Sequence, residues 1–280
     1  LDSGAKDSTN WLGLEGKVAV VTGGACGLGR AICEALAEAG ARIAVADIDA
    51  DGAQAVASAL TERFDGRHIA VASDVSSKAS VDSMIGATVE AFGRVDILVN
   101  NAGINIPRLL VDPGGKEELT EEIWDKVVSV NQKGPFLCAQ AAARVMIRSG
   151  CGGVIVNMAS ECGMEGSEGQ SVYAATKAAV YACTRSWAKE LGRHNIRVVG
   201  VSPGIIEATA LRSEEYERAL AYTRSITVEE LRESYKRCSI PLGRSGRLSE
   251  VAETVCFLAS ARSSYIHGTV INISGGKSRA

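Results

Sequence analysis

Tyr173 and Lys177 stand four residues apart in SVYAATKAAVYACTRSWAKEL, a run with helical apolar spacing, so both side chains are expected on one face of a helix. An ammonium beside a phenol stabilises the phenolate and lowers a tyrosine pKa from about 10 toward working pH. Tyr173 could then exchange a proton with a substrate oxygen. The YxxxK pattern is common, and on a solvated helix face Lys177 would be inert, so its weight depends on what else reaches the same place. Ser160, thirteen residues upstream, ends the apolar run GVIVNMAS. No histidine in its local segment activates it as a nucleophile, so its hydroxyl is expected to polarise the same substrate oxygen by hydrogen bonding. Asn131 lies four residues before Pro135 in TEEIWDKVVSVNQKGPFLCAQAAARVMIRSG. Proline has no N–H, so the Asn131 carbonyl loses its helical partner, the helix should bend, and the free carbonyl could hold a water.

A second constellation suits a dinucleotide. Thr22-Gly-Gly-Ala-Cys-Gly-Leu-Gly29 joins a strand-like run to a helical one. Gly23 allows a tight turn, Gly27 lets the backbone approach a pyrophosphate, and Gly29 lets helix and strand pack closely, with the helix N-terminus facing the anion. The spacing is GxxxGxG, and Cys26 and Leu28 fill the positions beside Gly27. Asp47 ends the next apolar run, where a carboxylate accepts hydrogen bonds from a ribose diol and repels a 2′-phosphate. Neither Ile48 nor Cys26 offers a cation for that phosphate, so NAD is favoured over NADP. In the plainer reading Asp47 only opens a turn, as Asp49 and Asp51 do.

These residues need a frame. KVAVVT, RIAVAD, HIAVAS, VDILVN, GVIVNMAS, IRVVGVS and TVINIS are short runs rich in Val and Ile, the pattern of strands buried on both faces. Helical patterns separate them: Leu28, Ile32 and Leu36 form one, and Val251, Val255 and Leu258 another, with Ser249 as its expected N-cap. The alternation predicts a single α/β domain over 11–280: a Rossmann-type, doubly wound, mostly parallel seven-stranded sheet with helices on both faces and ligands at the strands' carboxyl ends. The segment 205–247 interrupts the alternation and is expected to be a substrate lid.

Composition narrows the partners. Thirty Lys and Arg against thirty-three Asp and Glu leave a net charge of −3, so no global positive field favours nucleic acid or an anionic membrane. No apolar run approaches a membrane span, and the polar opening LDSGAKDSTN is expected to be a tail outside the fold. Eight cysteines show no CxxC pair and no metal-ligand spacing with the three histidines; they read as thiols of a cytoplasmic protein, with no metal expected.

The glycine turn, Asn100-Asn-Ala-Gly103, Asn131, Ser160, Tyr173, Lys177 and Pro203-Gly204, in this order, resemble the short-chain dehydrogenase/reductase family. The resemblance implies that Asn131, Ser160, Tyr173 and Lys177 form a catalytic tetrad, with Asn131 positioning a water and Lys177 also holding the nicotinamide ribose. It implies that Asp74 and Val75 contact adenine, that Asn101, Ala102 and Gly103 line the cofactor cleft, that Pro203, Gly204 and Ile206 border the nicotinamide, and that the assembly is a homotetramer. One departure bears on the cofactor: the family often has Thr five residues after this proline, where this chain has Ala208, with Thr209 next.

NNAGINIPRLLVDP, LRSEEYERALAYTRSITVEELRE, IPLGRSGRLSEVAE and the ending GGKSRA resemble the sorbitol-6-phosphate 2-dehydrogenase group of that family. This implies hydride transfer between NAD and a phosphorylated polyol, D-sorbitol 6-phosphate giving fructose 6-phosphate. A phosphate needs cations, and Arg108, Arg212, Lys277 and Arg279 are the candidates. Two alternatives stay open: the same chemistry on an unphosphorylated polyol, ketone or 3-oxoacyl thioester, and a dinucleotide-binding sensor without catalysis.

Overall fold

The computed structural model describes residues 10–209, 212–237 and 240–278. Seven strands, β1 (Val18–Thr22), β2 (Arg42–Asp47), β3 (Ile69–Ala72), β4 (Ile97–Asn100), β5 (Gly153–Met158), β6 (Ile196–Pro203) and β7 (Val270–Ile273), form one sheet in the order β3-β2-β1-β4-β5-β6-β7. Every pairing is parallel, in registers such as Val20 opposite both Ala44 and Leu98. Each expected strand run holds one of them.

The strands bury alternate residues on opposite faces, as a pleat of period two requires. Val21, Val45, Val99, Val156 and Val199 pack under α1 (Gly27–Glu38), α2 (Ala50–Arg63) and α10 (Leu248–Ala259). Val20, Ala44, Leu98, Ile155 and Val198 pack under α3 (Lys78–Phe92), α5 (Gly134–Ser149) and α7 (Ser171–Leu191). The chain winds outward from β1 to β3 and then returns to place β4 beside β1. At that reversal the loops after the two strands diverge and open a cleft at their carboxyl ends.

Local signals fix the helix starts. Asp49 caps α2 through Gly52 N at 3.0 Å, and Thr120 caps α4 (Glu121–Val128) through Ile123 N at 3.3 Å. The expected cap at Ser249 is not used: α10 starts at Leu248, because the Glu250 carboxylate reaches back to Arg247 N at 2.7 Å and satisfies an earlier amide. The long run around Asn131 divides as Pro135 predicts. After α4 comes a π-helical turn, Ser129–Lys133, in which Gly134 N bonds to Ser129 O, and α5 carries Pro135 in its first turn.

The short α6 (Cys162–Glu165) follows β5. Between β6 and α10 the segment expected to be a lid holds two helices, α8 (Glu214–Thr223) and α9 (Val228–Arg237), packed on each other through Leu220, Ala221 and Leu231.

Candidate active site

The glycine turn is held by the loop that follows β4. Thr22 Oγ1 accepts from Asn101 N at 3.0 Å and Ala102 N at 3.1 Å, and Asn101 Nδ2 donates to Thr22 O and Gly23 O. Asn101 and Ala102 thus fasten the turn as well as line the cleft, a structural duty not expected from their motif. Gly23 has φ +67°, and a Cβ there would lie 2.9 Å from Ala102 Cα. A Cβ on Gly29 would lie 1.9 Å from Gly23 O, so only glycine permits this approach of helix to turn. Gly27 has φ +53° and faces Thr209, whose Cβ is 3.2 Å from where a Cβ on Gly27 would sit. The loop after β6 therefore reaches the turn through Thr209, one position later than the family pattern. Cys26 precedes α1 without a side-chain cap bond, which leaves the first amides of that helix open to an anion.

Asp47 combines its two readings. Its Oδ2 accepts from Ala25 N at 2.9 Å and its Oδ1 from Asp49 N at 3.0 Å, so it opens the next turn while its carboxylate lines the cleft beside the exposed Ile48. Both oxygens keep lone pairs for further donors.

One cavity of about 740 Å³ runs from this turn to α7 and is lined by Gly23, Cys26, Gly27, Leu28, Gly29, Asp47, Asp74, Val75, Asn101, Ala102, Gly103, Ser160, Tyr173, Lys177, Pro203, Gly204 and Ile206. Its size suits a cofactor together with a small substrate. Every residue expected at the cofactor, and three of the expected tetrad, thus meet in one space.

Asn131 is the exception. Its side chain lies behind the cavity wall, where Oδ1 accepts from Ile104 N at 2.8 Å and Nδ2 donates to Ile104 O at 2.7 Å and to Thr176 Oγ1 at 3.3 Å. The amide is closed on both sides of Ile104 with both Nδ2 hydrogens in use, and the π-helical turn puts the Asn131 backbone carbonyl opposite a residue without an N–H. A Cβ on Gly103 would come 3.4 Å from Asn131 Oδ1 and 3.7 Å from Lys177 Nζ, so the three positions are neighbours.

Lys177 Nζ donates to Met158 O at 2.7 Å and lies 5.6 Å from the centre of the Tyr173 ring. Burial pushes its pKa down to about 8. Burial also pushes the Tyr173 phenol above its ordinary value, with a hydrogen bond to Ser160 pulling the other way. This corrects the expected lowering by Lys177: desolvation dominates at the phenol, and the ammonium is turned toward the Met158 carbonyl.

The expected phosphate ligands separate. Arg108 is bound to Glu117 at 2.6 Å and to Pro107 O at 2.7 Å and does not line the cavity; its nearest carboxylate has captured it. Lys277 lines the cavity but is held by Glu161 at 2.7 Å and lies 3.8 Å from Glu165. Arg212 lines the cavity, stacks 4.0 Å over Tyr235 and donates to Ile206 O. Arg279 lies outside the described residues. The structure adds two lining residues that no sequence motif marked, Glu161 and Gln170, and brings Tyr216 and Arg224 of the 205–247 segment to the same wall. Gln170 donates to Tyr216 Oη at 2.7 Å and Arg224 to Ser167 Oγ at 3.2 Å, and burial pushes the Tyr216 pKa up to about 12. Arg224 and Tyr216 carry no motif beyond their place in the segment 205–247, and Glu161 none beyond following Ser160.

Comparison with known proteins gives the same picture. A family model described as enoyl-(acyl carrier protein) reductase matches residues 23–278. Sorbitol-6-phosphate 2-dehydrogenase of Klebsiella pneumoniae is 53% identical over 272 residues, 96% of this chain and 98% of that protein. Among solved structures, 3-ketoacyl-(acyl-carrier-protein) reductase from Brucella melitensis, complexed with NADH, aligns at a TM-score of 0.79 and 33% identity over 95% of this chain and 99% of that one. A short-chain type dehydrogenase/reductase from Mycobacterium marinum aligns at 0.82 and 36%, over 95% and 97%. With the glycine turn, the seven parallel strands and a model match over nearly the whole chain in agreement, the chain belongs to the short-chain dehydrogenase/reductase family.

Proposed function

We propose that this oxidoreductase interconverts a phosphorylated secondary polyol and its ketone with NAD, D-sorbitol 6-phosphate and fructose 6-phosphate being the expected pair. The observation that carries the reading is the 53% identity, over nearly the full length of both chains, to a sorbitol-6-phosphate 2-dehydrogenase. The family binds a nicotinamide dinucleotide. The glycine turn fits its diphosphate, since Gly27 has φ +53° at the start of α1 and Cys26 leaves the first amides of that helix uncapped. Asp47 fits a ribose diol and disfavours a 2′-phosphate, with no cation among its neighbours Ile48 and Cys26. Asp74 and Val75 would border the adenine, and Pro203, Gly204 and Ile206 the nicotinamide.

When bound, the nicotinamide supplies the hydride acceptor or donor. Tyr173 Oη takes the hydroxyl proton of the alcohol in oxidation and returns it in reduction. Ser160 Oγ holds the same oxygen, and its hydrogen bond opposes the rise that burial gives the Tyr173 phenol. Asn131 positions this wall by clamping Ile104, and its carbonyl is the acceptor available to a proton-carrying water. The segment 205–247 acts as the lid, and Arg212 and Arg224 are its phosphate ligands: both line the cavity, and neither has a carboxylate partner among the described residues. A homotetramer is the family expectation and a cytoplasmic location that of the sequence; no described helix is long and apolar enough to cross a membrane.

A panel of polyols and polyol phosphates, followed by NADH formation with NADP as the comparison cofactor, tests the reading. Turnover of sorbitol 6-phosphate with NAD is the expected result, and no response to any phosphate ester would sink the phosphate assignment. Arg212→Ala and Arg224→Ala should raise KM for the phosphate ester and leave that for unphosphorylated sorbitol unchanged. A second reading, reduction of a 3-oxoacyl thioester, is favoured by the 33% identity to a 3-ketoacyl reductase. The same panel extended to an acetoacetyl thioester separates the two.

A further inference from the structure

Glu161 directly follows Ser160 and is 7% exposed. One of its carboxylate oxygens, Oε1, accepts from Lys277 Nζ at 2.7 Å. The other, Oε2, is buried and has no hydrogen-bond partner, although Glu161 lines the cavity beside Ser160, Gly204 and Lys277. A buried carboxylate oxygen without a donor is a costly arrangement that a bound donor relieves. Asn105 Oδ1, also on the cavity wall, is in the same condition. Among the described residues these are the two unpartnered buried side-chain polar atoms of the cavity's lining residues, and both are acceptors. The wall therefore calls for a ligand rich in O–H donors.

Charge narrows the ligand further. Glu161 and Glu165 surround Lys277, so the group carries a net charge of −1 and disfavours a phosphate. A neutral hydroxyl suits it. A 3-oxoacyl thioester brings only carbonyl oxygens at its reacting end, whose lone pairs would face the lone pairs of Glu161.

We propose that Glu161 is a specificity-determining residue whose Oε2 accepts a hydroxyl of a polyhydroxylated substrate close to the reacting carbon, with Lys277 as the positioning residue that holds the carboxylate. The inference rests on the polyol reading above and adds to it the atom that recognises the polyol. It also moves the role of Lys277 from binding phosphate to orienting Glu161.

The test compares sorbitol 6-phosphate with its 1-deoxy and 3-deoxy analogues on the wild type, Glu161→Gln and Glu161→Leu, with melting temperature and NADH-binding fluorescence recorded for each protein. Loss of one hydrogen bond to a charged acceptor should lower kcat/KM for the parent compound about 10- to 100-fold in Glu161→Leu, mainly through KM, and less in Glu161→Gln. One deoxy analogue should be handled equally by wild type and variants, because its missing hydroxyl is the one that Glu161 meets. Parallel losses on the parent and both analogues would mark a structural role and overturn the proposal, as would no loss at all. If Glu161→Leu does not fold, the near-isosteric Glu161→Gln decides by the ratio of parent to analogue, and an unchanged ratio overturns the proposal. A wild type inactive on every polyol overturns the polyol reading and this inference together; a wild type active on sorbitol 6-phosphate, with unchanged selectivity in the variants, overturns this inference alone.

Discussion

Burial pushes both partners of the Tyr173 and Lys177 pair toward their neutral forms. Moving an ammonium from its ordinary 10.5 to about 8 costs the native state roughly 3 kcal/mol below pH 8. The unfolded chain binds the extra proton between those two values, so stability rises with pH through that window and the cost is gone above it. Lys177→Met should therefore raise the melting temperature of the cofactor-free protein at pH 7 and lose that gain as the pH approaches 10.5, while turnover collapses. An equal gain at both pH values would show that burial of the charge is not the cause. Tyr173→Phe should lower kcat by roughly 10²- to 10⁴-fold, the usual contribution of a positioned proton donor or acceptor. NADH fluorescence titration should give an unchanged Kd, because the phenol oxygen is asked to move a proton and not to hold the cofactor.

At the scale of the element, the π-helical turn between α4 and α5 joins a sequence signal to a site. Pro135 removes the N–H that would have closed an α-helical bond to Asn131, and the turn that results points the Asn131 amide at the backbone of Ile104. Asn131→Ala would leave the part-buried N–H and C=O of Ile104 without these partners, at a cost of about 1–3 kcal/mol, which chemical denaturation would record as a lower midpoint. Turnover should fall with it, since Gly103 and Lys177 lie against this clamp. The turn between β1 and α1 carries a comparable constraint: Gly29→Ala would force a methyl against Gly23 O and cost about 1–3 kcal/mol, with a weakened Kd for NADH.

At the scale of the whole molecule, a long-range contact ties α8, which contributes Tyr216 and Leu220 to the cavity wall, to the loop after β4. Tyr222 Oη, on α8, donates to both oxygens of Asp112 at 3.1 Å, 110 residues away in the chain, in the loop between β4 and α4. Asp112 also collects the amides of Gly114, Lys116 and Glu117, and together these hydrogen bonds hold its carboxyl below the ordinary carboxylate range. If the segment 205–247 is the lid proposed above, Tyr222→Phe should loosen it and raise KM for substrate about 2- to 10-fold, with the cofactor Kd unchanged, as steady-state kinetics and fluorescence titration would show. The sheet, its seven strands and the glycine turn could be read from the sequence because they rest on local rules: strands buried on both faces become continuous apolar runs, and backbone conformations open only to glycine leave glycines at fixed spacing. Tyr173 and Lys177 were legible for the same reason, being one helical turn apart. What could not be read depended on partners far off in the chain. Arg108 and Lys277 have the charge to bind phosphate, and only the fold shows that Glu117 captures the first and Glu161 holds the second. Spacing fixes which residues share a face, whereas the availability of a charge depends on what tertiary packing sets against it.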